Sequence, residues 1–368
     1  MKKNRCGLMK RVATLVLAAA MVAGSLAGCG SANGGAGDSN ANGAASNAGV
    51  SGGKLVFVDW GGTNTDARVE AIVDKFAEKY NVDVTIVTPS DYAKLISMVE
   101  NGTTEWDVMN CDAYWGVYAG KEGYLEAIDY NTVTTKIDEE VQLEHVMGAE
   151  IYSTAIAWNS KLYNEETAPQ NWEQFFDTVN FPGTRAVWQY PVSVLEAALM
   201  ADGVAQDELY PLDLDRAFAK LDTIKNDIVW WTAGAQPSQM LSTGEVDYAL
   251  AWSGRIKTAE AEGSPVDMTY NQAIRIAAGW VVPKNCPNYE NAMKFIEYAS
   301  EAEQQYEFSK RIPYGSTNPD ATKLMDDELK ESLGQTDAQL ATEIYLNNEY
   351  WAEHLSEVEE RFNKWLTE

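Results

Sequence analysis

The chain has 368 residues, 55 acidic and 28 basic, and its formal net charge is −27 at pH 7. This charge excludes nucleic acid and anionic lipid headgroups as electrostatic partners, because both would be repelled. The two histidines and four cysteines show no metal-ligand spacing, so we expect neither a metal nor a cofactor.

The N-terminus has the features of a secretory signal with a lipid-attachment site. Basic residues without any acid precede the run VATLVLAAAMVAGSLAG, which is too short and too rich in small residues for a stable membrane span. The run ends in LAGC, which resembles the bacterial lipoprotein signal. We therefore expect residues 1–28 to be removed and Cys29 to carry diacylglycerol and palmitate. An ordinary secretory signal followed by an incidental cysteine is the alternative.

Residues 29–53 are predicted to be a flexible tether. The segment GSANGGAGDSNANGAASNAGVSGG contains no aromatic residue and one charge, so it cannot bury enough apolar surface to order itself. Random-coil scaling gives it a span of roughly 25–30 Å. The folded part, residues 54–368, is then expected at the outer face of a bacterial cytoplasmic membrane or in the periplasm. It is long enough for two domains.

The first module of the folded part alternates strands and helices. The compact runs KLVFVDW, VDVTIVT and WDVMNCD are typical of buried parallel strands, and segments with helical spacing separate them. This βαβαβ order predicts a parallel sheet with its binding residues at the carboxyl ends of the strands. Trp60, Asp112 and Tyr114 fall at such ends.

A second module follows the segment STAIAWNSKLY. The run NWEQFFDTVNFPGTRAVWQYP is predicted as loop, strand and turn, and DIVWWTAGAQPSQMLSTGEVDYALAWSGRI as strand, loop, helix and strand. GWVVP is predicted as a further short strand, and amphipathic helices follow to the C-terminus. Cys111 and Cys286, the two cysteines of the folded part, can be paired or free.

The sequence gives little support for catalysis and more for binding. It lacks the nucleophile elbow, the phosphate loop, the dinucleotide fingerprint and the HExxH zinc motif, and two histidines argue against a hydrolytic triad. Twelve tryptophans are present. A single tryptophan most often packs in a core, but a group at strand ends can form a stacking wall for a ligand. The candidates are Trp60, Trp188, Trp231, Trp252 and Trp280.

Several segments together resemble the spermidine/putrescine-binding-protein-like family, the solute-binding components of ABC importers. They are LVFVDW, AGKEGYLEAID, LDLDRAFAKLD, STGEVDYALAWSGR and RIPYGSTNP. The resemblance covers nearly all of residues 54–368. It implies an α/β, periplasmic-binding-protein-like fold in which two α/β lobes, joined by crossing strands, hold a ligand in the cleft between them. Lobe 1 would comprise residues 54–157 and 277–312, and lobe 2 residues 158–276 and 313–368, with the C-terminal helices packed on lobe 2.

The same resemblance implies a monomer that binds a small-molecule solute and a membrane permease. It assigns an aromatic box to the ligand site, consisting of Trp60, Tyr114, Trp252 and Tyr314, to which we add the strand-end residue Trp231. The acidic pair of polyamine binders is replaced by WQYPVS, which leaves Tyr190 and Ser193. The acid of the return strand is replaced by small residues in IRIAAGW. Asp112 stands at a position that is often a serine in that family, so one carboxylate is expected there.

Arg255 changes the ligand that we expect. Each buried ammonium needs a carboxylate, whereas a guanidinium repels a diamine and suits a carboxylate. We hypothesise that Arg255 binds a ligand carboxylate, Asp112 its amine, and Trp60, Trp252 and Tyr314 its methylenes. A surface or inter-lobe ion pair is the alternative for Arg255, and a helix N-cap is the alternative for Asp112. A strict spermidine/putrescine binder and an extracytoplasmic lipid-anchored enzyme remain open as alternative functions.

Overall fold

The computed structural model describes residues 52–368, which hold one sheet flanked by helices; Cys29, the signal and nearly all of the tether lie outside them. The strands are β1 (Lys54–Val58), β2 (Asp83–Val87), β3 (Val108–Asp112), β4 (Met147–Asn159), β5 (Arg185–Trp188), β6 (Ile228–Trp231), β7 (Tyr248–Trp252), β8 (Val266–Val281) and β9 (Ile344–Tyr345). The helices are α1 (Gly62–Arg68), α2 (Asp74–Tyr80), α3 (Tyr92–Glu100), α4 (Ala113–Lys121), α5 (Trp172–Phe176), α6 (Val194–Ala201), α7 (Leu214–Asp222), α8 (Gln236–Thr243), α9 (Ser253–Ala261), α10 (Tyr289–Ser300), α11 (Ala302–Ser309), α12 (Pro319–Leu324), α13 (Asp327–Ser332), α14 (Asp337–Leu340) and α15 (Asn348–Thr367).

The sheet contains two parallel groups of strands joined by two crossing strands. Its order is β2-β1-β3-β8-β4-β7-β5-β6, with β9 beside β8. Strand β1 runs parallel to β2 and β3, and β5 runs parallel to β6 and β7. Strands β4 and β8, of 13 and 16 residues, pair antiparallel and pass from one group to the other. This is the two-lobed α/β architecture with crossing strands that the sequence predicts.

The first parallel group follows the predicted βαβαβ order. Leu55, Phe57 and Val58 of the central strand β1 are fully buried, as its continuous apolar run predicts. Strand β2 lies at the edge of the sheet, and Ile86 on it is 41% exposed. Helix α3 begins after Asp91, whose carboxylate accepts a hydrogen bond from the Lys94 amide at 2.9 Å. The carboxyl ends of β1 and β3 therefore open toward the same edge of the sheet.

Two segments of the second module differ from the prediction. The run NWEQFF begins with a helix, α5, because the Asn171 side chain caps it by accepting the Gln174 amide at 2.9 Å. The first three residues of the predicted strand GWVVP, residues 279–281, are the last part of the 16-residue strand β8. The lobe boundaries predicted near residues 157 and 276 fall inside the continuous strands β4 and β8 and remain a prediction.

The C-terminal helix α15 contacts both parallel groups, whereas the family resemblance implies packing on lobe 2. The Lys121 ammonium of α4 lies 2.6 Å from Glu349 and 2.8 Å from Glu353. On the other side, Trp351 Nε1 donates to Glu196 of α6 at 2.6 Å. Within residues 52–368 we find no helix long and apolar enough to cross a membrane.

The two cysteines of the folded part are free thiols. Cys111 of β3 is fully buried, whereas Cys286 is partly exposed. Burial raises the pKa of both thiols, and for Cys286 it reaches about 12. The disulfide that the sequence left open is not formed.

Candidate ligand-binding site

A cavity of about 440 Å³ lies where the ends of β3 and β7 meet the crossing strands. Its lining combines eight aromatic side chains with three charged ones, which is the composition of a small-molecule site. The lining residues are Trp60, Gly61, Asn64, Tyr92, Asp112, Tyr114, Glu150, Tyr152, Trp188, Tyr190, Trp252, Arg255, Ala278 and Tyr314. Three other cavities of about 420 to 510 Å³ contain at most two aromatic residues each.

The structure brings six of the seven predicted ligand-binding residues into this cavity. They are Trp60, Asp112, Tyr114, Trp252, Arg255 and Tyr314. The exception is Trp231, whose side chain is fully buried. Its indole stacks behind Trp188 at a centroid distance of 5.7 Å, and its Nε1 donates to the Leu250 carbonyl at 3.0 Å. Direct ligand contact by Trp231 therefore does not fit the structure, and the residue supports the wall from behind.

Strand register sets the floor of the cavity. Asp112 of β3 pairs with Ala278 of β8, and Ala278 pairs in turn with Glu150 of β4. The small Ala278 side chain, at the return strand where small residues are expected, leaves space between the two carboxylates. The floor thus carries two acids in one line across three strands.

Asp112 presents its carboxylate to the cavity and does not cap the following helix. It occupies the N-cap position of α4 but makes no capping hydrogen bond. Instead it accepts hydrogen bonds from the hydroxyls of Tyr92 and Tyr152, both at 2.9 Å, and a longer one from Tyr114 at 3.5 Å. Burial raises the pKa of Asp112 above its ordinary value, and the three hydroxyls oppose this shift. A cationic ligand group would stabilise this partly buried carboxylate further.

The aromatic wall beside Asp112 is fixed by ring packing. Tyr92 stacks on Trp115 at a centroid distance of 3.9 Å and meets Trp60 edge-on at 6.0 Å. The Trp60 indole donates to the Asn110 side chain at 2.7 Å, and Trp60 remains 37% exposed. Its ring is therefore oriented by the protein while part of its surface stays available to a ligand.

The opposite wall is built from Trp188, Tyr190 and Trp252. The Trp188 ring lies 4.8 Å from Tyr190 and 5.1 Å from Trp252. Tyr152 bridges the two walls, because its hydroxyl bonds Asp112 while its ring meets Trp252 edge-on at 6.0 Å. The Tyr190 hydroxyl donates to Glu359 of α15, so the C-terminal helix supports this wall.

Arg255, in the first turn of α9, leaves its guanidinium available to a ligand. The residue is exposed, and it forms no ion pair with any of residues 52–368. The alternative of a surface or inter-lobe ion pair therefore finds no partner in the described part of the chain. The positive charge of Arg255 opposes the rise in the pKa of Tyr314 that burial causes.

The sequence reasoning missed several lining residues, and two signals could have found them. Tyr92 begins α3 after the turn that follows β2, with four residues between it and the end of the strand, so a strand-end rule extended across the next turn would have included it. Glu150 and Tyr152 lie two positions apart on one face of β4. That strand was interpreted only as a connection between modules.

Comparisons with known proteins identify similar chains. Residues 71–341 match the family model described as bacterial extracellular solute-binding protein. A gamma-aminobutyric acid-binding protein of Pseudomonas aeruginosa is 32% identical over 321 residues, which cover 84% of this chain and 90% of that protein. Spermidine/putrescine-binding periplasmic protein 1 of Haemophilus influenzae is 21% identical over 327 residues, 83% of this chain and 87% of that one.

A solved structure of a GABA (gamma-aminobutyric acid) receptor superposes on the chain with a TM-score of 0.79 at 39% sequence identity. The superposition covers 85% of this chain and 97% of the receptor. It confirms the predicted α/β, periplasmic-binding-protein-like fold class.

Proposed function

Because the chain belongs to the bacterial extracellular solute-binding protein family, we propose that it captures a small zwitterion, an amine linked to a carboxylate by methylenes, for an ABC importer. The observation that supports this ligand is the pair of opposite charges, Asp112 and Arg255, in one aromatic cavity. The resemblance to spermidine/putrescine-binding proteins that the sequence predicts is also confirmed.

The amine is placed at Asp112 and the carboxylate at Arg255. Charge-assisted hydrogen bonds to a carboxylate and to a guanidinium are the strong interactions available to such a ligand. Asp112 and Arg255 form no ion pair with each other, so their charges are separated. The relative that binds gamma-aminobutyric acid, at 32% identity, favours an amino acid whose amine and carboxylate lie several methylenes apart over an α-amino acid. The rings of Trp60 and Trp252 would flank those methylenes.

A strict polyamine binder is the weaker hypothesis. A diamine would need a carboxylate for each ammonium, and both oxygens of Glu150 already accept hydrogen bonds from Arg68. Arg255 adds a positive charge that has no ion-pair partner among residues 52–368. The curated relative at higher identity is the GABA-binding one, at 32% against 21%. The lipid-anchored enzyme that the sequence left open as an alternative gains no support, since the family is one of solute-binding proteins.

The transport role includes further steps that we propose together. The ligand would close the two lobes by binding the closed state more tightly, and the closed monomer would dock on its permease. The diacylglyceryl and palmitoyl groups on Cys29 would hold the protein at the outer face of the cytoplasmic membrane. Labelling of cells with a palmitate analogue tests the anchor: the label should be lost in Cys29→Ala and retained in Cys6→Ala.

A thermal-shift panel tests the ligand class. The folded part, purified without residues 1–28, is titrated with GABA, 5-aminopentanoate, glycine, putrescine and spermidine. A ligand present at 100 times its dissociation constant adds about 2.7 kcal/mol to the free energy of unfolding. We expect stabilisation by GABA or 5-aminopentanoate and little by glycine. Strong stabilisation by the polyamines alone would contradict the proposal.

A further inference from the structure

Arg68 is a fully buried arginine directly behind the cavity wall. It is the last residue of α1, and a five-residue π-helical turn, Val69–Val73, follows it. Such turns are rare and frequently lie at functional sites. The guanidinium also donates to Asn64, which lines the cavity, at 2.8 Å. Arg68 is therefore one contact away from any ligand.

The guanidinium of Arg68 donates hydrogen bonds to both carboxylate oxygens of Glu150. Nη2 lies 2.7 Å from Oε1 and Nη1 lies 3.1 Å from Oε2, which is a two-pronged, charge-assisted pair. Asp59, on the far side of the guanidinium, accepts only from Nε, at 3.0 Å, and from the Thr65 hydroxyl at 2.9 Å. Burial alone would lower the pKa of Arg68, but the Asp59 and Glu150 carboxylates raise it above its ordinary value. The arginine is charged.

Aromatic rings complete the surroundings of this charge. The guanidinium carbon lies 4.8 Å from the Trp280 ring centroid and 4.4 Å from that of Phe308. Carboxylates combined with aromatic faces are what a protein uses to hold an organic cation. Here the cation in that position is a side chain of the protein.

The two floor carboxylates consequently differ. Asp112 and Glu150 flank Ala278 in the same line, so by position they could bind the two ammonium groups of a diamine. Asp112 is bonded only by neutral hydroxyls, whereas both oxygens of Glu150 face a cation. An ammonium buried beside Glu150 would lie next to Arg68 and lack a free carboxylate, which is costly.

We propose that Arg68 is a specificity-determining residue, which occupies Glu150 so that the cavity offers one ammonium site instead of two. The protein thereby selects an amine with a carboxylate over a diamine. Arg68 acts through Glu150 and does not touch the ligand. This inference rests on the proposed function, and it adds an internal source of discrimination to the repulsion by Arg255.

Isothermal titration with GABA and with putrescine tests the inference. The wild-type protein should bind GABA and bind putrescine at least about 100-fold more weakly, a difference of about 2.7 kcal/mol. Arg68→Met frees Glu150, so the ratio of putrescine to GABA affinity should rise at least about tenfold. General damage to the fold would weaken the binding of both ligands and leave the ratio of putrescine to GABA affinity unchanged. An unchanged ratio in a folded Arg68→Met protein overturns the inference.

Two further variants keep the test decisive. Arg68→Lys retains the charge but cannot bond both oxygens of Glu150 as a planar fork, so its ratio should lie between wild type and Arg68→Met. If Arg68→Met does not fold, a wild-type ratio in Arg68→Lys overturns the inference. In Arg68→Met/Glu150→Gln the gain in putrescine binding should disappear, and a persistent gain overturns it. A wild-type protein that binds neither ligand refutes the proposed function itself.

Discussion

The two ends of the cavity hold opposite charges in opposite ways. The Asp112 carboxylate is partly buried at the end of a central strand, and the hydroxyls of three tyrosines converge on it. The Arg255 guanidinium stands exposed in the first turn of α9, with no ion-pair partner among residues 52–368. One end is desolvated and fixed before the ligand arrives, and the other is hydrated and adaptable. Fixed groups lose less conformational freedom on binding, so the Asp112 end should contribute more to affinity.

The largest effect is expected at the fixed end. Asp112→Asn keeps the shape of the side chain but removes the charge that pairs with the amine, so GABA affinity should fall about 100-fold or more. Isothermal titration measures it, with Asp66→Asn as the control, because Asp66 is an exposed acid nearby that does not line the cavity. A loss of GABA affinity below about threefold in Asp112→Asn would contradict the larger contribution assigned to the Asp112 end.

The exposed end should give a smaller loss. Arg255→Ala should lower GABA affinity about tenfold, because an exposed charge is partly screened by water, and Arg255→Lys should retain part of the affinity. Lys257→Ala is the matched control, since Lys257 lies on the same helix and pairs with Glu260 at 2.9 Å. If Arg255→Ala and the wild type bind GABA with equal affinity, Arg255 does not bind the ligand.

The pH dependence of binding should belong to the Asp112 end alone. Because burial raises the pKa of Asp112, the free site takes up a proton at a higher pH than an ordinary aspartate, and the amine needs the ionised form. GABA affinity should therefore fall as the pH is lowered, by less than tenfold per pH unit. The fall should persist in Arg255→Ala and vanish in Asp112→Asn. Its persistence in Asp112→Asn would assign it to another acid, such as Glu150.

The raised pKa of Asp112 also predicts how the stability of the free protein depends on pH. A carboxyl with a raised pKa in the folded state adds stability at pH values below its unfolded pKa, and this contribution is lost as the pH rises through the folded value. Free Asp112→Asn protein should therefore lose less stability than wild type as the pH rises through that range. Urea titrations across the range measure the difference.

The smallest effect on affinity is expected behind the wall. Trp231→Phe should leave GABA affinity within about threefold, because the side chain does not reach the cavity. It should lower Tm by about 2 °C, since the Nε1 hydrogen bond to Leu250 is lost and a smaller ring leaves a void. A tenfold loss of GABA affinity without a change in Tm would indicate that Trp231 contacts the ligand.

Much of the site could be predicted because parallel strands gather their carboxyl ends. Trp60, Asp112 and Trp252 were found by this rule, which needs only the local strand pattern. Trp231 was misassigned because Trp230 and Trp231 point to opposite faces of β6, and the pattern does not say which faces the ligand. Trp230 meets Trp365 of α15 at 6.0 Å, and Trp231 packs behind the cavity.

The rest depends on contacts between distant parts of the chain. The pair Arg68–Glu150 joins residues 82 positions apart, and only the crossing of β4 over the first parallel group brings them together. Tyr152 bonds Asp112 for the same reason. Such pairs follow from strand order and register, which a single sequence does not specify. The charged residues at the two ends of the cavity could thus be predicted from the sequence. The neutralisation of Glu150 at the cavity floor could not.

A crystal structure of the protein with GABA tests the central claim most directly. We predict the ligand amine about 2.7–2.9 Å from an Asp112 carboxylate oxygen and the ligand carboxylate at a similar distance from the Arg255 guanidinium, with the methylenes between Trp60 and Trp252. A ligand bound in the reverse orientation, or outside this cavity, would contradict the account.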